Sequence, residues 1–233
     1  MTQFKKTHFD CDSWHQTDEG CDLRSRHLDS LARWLWLPGR RFRLADERFT
    51  LANAFRIRGK ISPAEANYRH ALCLLEGRPR PLRSKELLRR HSLIAACHNH
   101  LGMMWLEHGP AERAAAAFDE AISYRRNLLR HFPKDRENQV YLGGALCNRG
   151  HAAADSDPAS AAAFYHESLQ ILRQPTQTCD CSYWDEERQS WWCSQLESLA
   201  QLLGLPWVEL APQFIDNAMR GLASLKPTPT EEH

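Results

Sequence analysis

Cys147 and His151 stand four residues apart in the segment LCNRGH, a spacing that places a thiol beside an imidazole on one face of a helix. That is how a thiol nucleophile and its general base are paired, but the sequence identifies no third group to orient the base. No G-x-S-x-G, H-E-x-x-H or phosphate-cradling glycine loop occurs, and His166-Glu167 is followed by Ser, Leu and Gln rather than by a second metal-binding His. The 12 histidines and 8 cysteines raise the question of a metal. His8, Cys11, His15 and Cys21 lack the paired C-x2-C spacing of a zinc site, and Cys179, Cys181 and Cys193 have no fourth ligand near them. The expectation is a non-enzymatic protein with no catalytic residue, metal site or cofactor. MTQFKKTHFDCD has two lysines but no apolar stretch behind them, and no run of eighteen apolar residues occurs, so neither a secretory signal nor a membrane span is expected. Reduced thiols and a cytoplasmic location follow from that reading.

The residues available for binding have to be positioned by helices, and the helices repeat. In 97–122, Leu101, Gly102 and Trp105 are followed by Gly109, Ala114, Phe118 and Ala121. Sliding back by 50 positions gives Leu51, Ala52, Phe55, Gly59, Ala64, Tyr68 and Ala71, with small residues on small and aromatics on aromatics. Leu101 and Trp105 share one face of a first helix; Ala114, Phe118 and Ala121 share one face of a second. Gly109 is suited to a left-handed helix end and Pro110 to the next helix start. A third copy is degenerate: Gly150, Ala161, Tyr165 and Leu169 keep the pattern, but Arg149 replaces the leucine and Ala153 the aromatic.

This pattern resembles the tetratricopeptide repeat (TPR). The resemblance covers 45–173 and implies an all-α, right-handed α-solenoid of about three TPR-like hairpins at 45–76, 84–130 and 135–173, with flanking capping helices. The copies recur at about 47 to 50 residues rather than the family's 34, so first helices extended at their starts are expected. Residues 23–225 are read as one domain, with amphipathic helices at 23–37, 182–203 and 207–224, the C-terminal capping helices falling within 182–225. On composition, 1–22 and 226–233 read as disordered.

The resemblance further implies a concave groove, lined by first helices, that binds a peptide or protein. Its positions correspond here to Asn53 and Arg56, to Asn99, His100 and Met103, and to Asn148 and His151. Charge suggests two other contacts. Residues 24–91 carry 17 Lys and Arg against 6 Asp and Glu, a local charge of +11, whereas 174–233 carry 3 against 9. The basic stretch could bind nucleic acid or another polyanion. The C-terminal end, with Trp184, Trp191, Trp192 and Trp207, could support self-association.

Overall fold

The computed structural model describes residues 17–31, 40–76, 84–172 and 207–225. All regular structure among them is helical: α1 (Asp18–Leu31), α2 (Arg40–Ile57), α3 (Ile61–Glu76), α4 (Ser84–His108), α5 (Ala111–His131), α6 (Arg136–Ala153), α7 (Pro158–Leu172) and α8 (Trp207–Ser224). The chain divides into two compact units, Met1–Cys97 and His98–His233, with the boundary inside α4.

In the first unit α2 packs on α3, and α1 packs on α2. Leu51, Ala52 and Phe55 of α2 meet the side of α3 that carries Ala64, Tyr68 and Ala71, and all six are buried. Between the two helices Gly59 adopts φ +70°, the left-handed conformation that ends a helix. Helix α1 begins at Asp18, five residues ahead of the expected start at 23. Its first turn is held locally, because Thr17 accepts from the Gly20 and Cys21 amides through Oγ1 and O respectively. The rest of the expected helix 23–37, beyond Leu31, lies outside the described residues, as do 1–16.

In the second unit α5 packs on α6, α6 on α7, and α8 on both α6 and α7. One close contact recurs. A Cβ added to Gly102 would lie 2.6 Å from the Phe118 ring, and one added to Gly150 would lie 2.6 Å from the Tyr165 ring. Each glycine thus seats the aromatic of the following helix against bare backbone. Gly109 departs from expectation: its φ is not positive, and the turn is made by Pro110, which caps α5 from an extended conformation at φ −70° and ψ 133°. α4, at 25 residues, is the long first helix that the repeat spacing requires, whereas α6, at 18 residues, is no longer than α2.

The third hairpin has its weak positions filled from outside. Arg149 bonds Asp119 of α5 at 2.9 Å and stacks on the Phe164 ring at 4.8 Å. Ala153 joins a cluster with Tyr165, Leu169 and Ala218, against which Ile215, Leu222 and Leu225 pack from the C-terminal segment. Phe214 seats on Gly144 as Tyr165 seats on Gly150. Helix α8 therefore supplies the apolar bulk the third hairpin lacks. The expected helix 182–203, three of the four tryptophans and the tail 226–233 lie outside the described residues, as does the side chain of Trp207.

Candidate functional site

Three of the expected groove positions occupy equivalent places in their hairpins: Asn53, Met103 and His151 each follow the small residue that seats the next helix's aromatic. Two of them bond that aromatic directly. The Tyr68 hydroxyl donates to Asn53 Oδ1 at 2.5 Å, and Arg56 also bonds that hydroxyl. Met103 packs against the cluster that holds Phe118. The Tyr165 hydroxyl lies 2.7 Å from His151 Nδ1. Where the second helix offers a hydroxyl the first offers a polar side chain, and where it offers a bare ring the first offers methionine. Asn53, at 4 % exposure, is a core residue whose hydrogen bond offsets the burial of the Tyr68 hydroxyl.

Of the remaining four positions, Arg56 lies in the first unit at the Tyr68 hydroxyl, while Asn99, His100 and Asn148 are half-buried and belong to the second unit. Asn148 Nδ2 donates to Asn99 Oδ1 at 3.1 Å, bringing the first helices of two hairpins together through their side chains. Asn99 Nδ2 in turn approaches Met103 Sδ at 3.7 Å. This pairing leaves Asn148 Oδ1 and one N–H of each amide outside the shared bond, so the pair presents both donors and an acceptor.

Cys147 and His151 are brought together, with Sγ 3.6 Å from Nε2, and Tyr165 is the third group that the sequence did not identify. The available signal was a Tyr where the preceding copy has Phe118. The arrangement still opposes nucleophilic chemistry. Burial pushes the Cys147 thiol up to about 12, far above the depressed range of a reactive thiolate. Burial also holds His151 below its ordinary value, and the Tyr165 hydroxyl is pushed up to about 12. The trio is a neutral hydrogen-bonded knot between α6 and α7. Of the possible metal ligands, His8, Cys11, His15, Cys179, Cys181 and Cys193 lie outside the described residues. Among the described residues no group of three or more His, Cys, Asp or Glu side chains is gathered as a metal would require. No described helix is long and apolar enough to cross a membrane.

No protein-family model matches the chain, and no curated protein matches it.

Two imidazoles held below their ordinary value make stability pH-dependent. His151 is lowered by burial, and His70 by burial and then by the Arg48 charge. With native values below the unfolded one, the unfolded chain takes up protons first as pH falls. Stability is then complete above about pH 6.5 and declines below it until the native histidines titrate. Urea midpoints are expected to fall between pH 7.5 and 5.5, and His151→Gln, which keeps a partner for Tyr165, should flatten part of that fall. An unchanged slope in the variant would remove His151 from the account.

Proposed function

We propose that the chain is a non-enzymatic protein–protein interaction module of the cytoplasm, a TPR-like solenoid that holds a peptide or protein partner against its first helices. The observation that carries this reading is a recurring place: the residue after the small position bonds the next helix's tyrosine in the first and third hairpins and packs against the cluster holding Phe118 in the second. Hairpins that share one packing scheme stack into extended binding surfaces. Asn99, His100 and Asn148 are half-buried groove positions outside that recurring place. Paired amides suit an extended peptide, whose backbone alternates donors and acceptors.

Some cations of the basic segment are engaged within the fold. In the first unit Arg24 pairs with Glu47, Arg48 with Asp29, Arg58 and Lys60 with Asp18, and Arg69 with Glu65. Five of the 17 cations of 24–91 are thus ion-paired, though only Asp18 among their partners lies outside that segment; the densest basic run, 78–91, is described from 84 onward. The test is capture from an extract of the native host, using the full chain and an Asn148→Arg/His100→Glu variant at physiological ionic strength. The wild type should retain a discrete set of proteins that the variant loses while its melting temperature stays the same. Identical capture by both would sink the groove. Retention of nucleic acid above physiological salt would favour the polyanion reading.

A further inference from the structure

Helix α1 is attached to the first unit in an unusual way. Its apolar anchors are Cys21 and Leu28, both at 0 % exposure and seven residues apart, hence on one face. Arg24 lies between them on that face and pairs with Glu47 of α2. At the two ends stand acids: Asp18 is held by Arg58 Nε at 2.6 Å and Lys60 Nζ at 3.1 Å, and Asp29 is held by Arg48. Arg48 is itself buried at 3 % exposure, with Asn67 Oδ1 at 2.9 Å, whereas its Asp29 partner is 63 % exposed. The hairpin therefore carries a built cationic socket whose anion comes from outside. Exposed ion pairs hold weakly and are screened by salt. A 14-residue helix is also marginal without tertiary contacts.

We propose that the face of α2 beneath α1 is a docking site for an acidic amphipathic helix, and that α1 is its built-in occupant, displaced by a partner helix of the same chemistry. Such a partner needs two apolar anchors two turns apart, with a carboxylate outside each to reach Arg48 and the Arg58–Lys60 pair. The proposal deepens the protein-binding reading by naming a partner chemistry. The opening of α1, however, needs no partner and can be read separately.

The native thiols report that opening, because Cys21 and Cys97 are both buried in this unit and Cys73 is exposed. In the full chain under native conditions, peptide mapping after thiol labelling should find Cys73 modified at once and Cys21 at least about tenfold faster than Cys97. Added sodium chloride should widen that gap. A fluorescent synthetic peptide of 17–31 carrying Cys21→Ala, which keeps an apolar anchor, should bind an Asp18→Asn/Asp29→Asn chain at least about tenfold more tightly than the wild type, whose own α1 competes. Asp18→Asn alone serves if the double variant folds poorly. Cys21 reacting in step with Cys97 would overturn the proposal, since α1 would then open only on global unfolding. So would opening without peptide binding, or equal binding by a peptide lacking both carboxylates. A DNA oligonucleotide that accelerates Cys21 labelling as well as the peptide does would assign the socket to polyanions. Loss of the capture proposed above would leave these results untouched, because the peptide experiment uses none of the residues varied there.

Discussion

Replacing Gly150 with valine is expected to destabilise the protein by about 3 kcal/mol. Even the first added carbon would stand 2.6 Å from the Tyr165 ring, which is fully buried. The ring cannot retreat, because Gly221 of α8 presses on its other side and its hydroxyl is bonded to His151. Overpacking of this kind costs about 1–3 kcal/mol and more when neighbours are rigid, whereas removing a helical glycine returns at most about 1 kcal/mol of helix propensity. Packing wins. Gly150→Ala should therefore still destabilise, by about 1–2 kcal/mol. The measurement is the urea midpoint, read together with hydrogen exchange of α8, which should lose protection because its seat on Tyr165 is disturbed. Combining Gly150→Val with Tyr165→Leu should recover part of the loss, since the two positions share one contact. If Gly109→Ala at the α4–α5 turn cost as much as Gly150→Val, the close approach would not be the cause.

The second large effect is expected at Asn138. Its Oδ1 accepts from Arg125 Nη1 at 2.9 Å, and its Nδ2 returns a bond to the Arg125 carbonyl at 3.1 Å. Both residues are buried, at 1 % and 5 % exposure, and the guanidinium also stacks on Tyr141 at 4.8 Å. Burial alone pulls Arg125 below its usual value, with the Tyr141, Glu137 and Asp135 charges opposing that pull. Asn138→Leu leaves a buried cation short of an acceptor, a loss of about 3 kcal/mol. Adding Arg125→Met removes the orphaned charge, so the double variant should be more stable than Asn138→Leu alone. Additive losses in that cycle would mean that the two residues act independently and that the pair does not join α5 to α6.

The helices, and the packing of α2 on α3 and of α6 on α7, were legible in the sequence because helix pairing is local physics. Alternating small and aromatic residues at 3.6-residue spacing needs only a neighbouring helix, and Gly59, Gly109 and Pro110 mark the turns. The chemistry of the faces was less legible. Asn53 and His151 have the composition of binding residues, yet each is engaged by a tyrosine fourteen or fifteen positions later on the partner helix. Periodicity says which residues share a face; only packing says what covers it. The same limit hid what ties α1 to the rest of its unit, where Arg58 and Lys60 from beyond α2 hold Asp18. It also hid the role of α8, which fills the space left by Ala153 in the third hairpin. Local spacing specified the helices and their pairing. The long-range contacts of burial and charge, which no single segment encodes, decided which polar groups became core, which stayed half-buried at the Asn99–Asn148 pair, and which hold α1 in place.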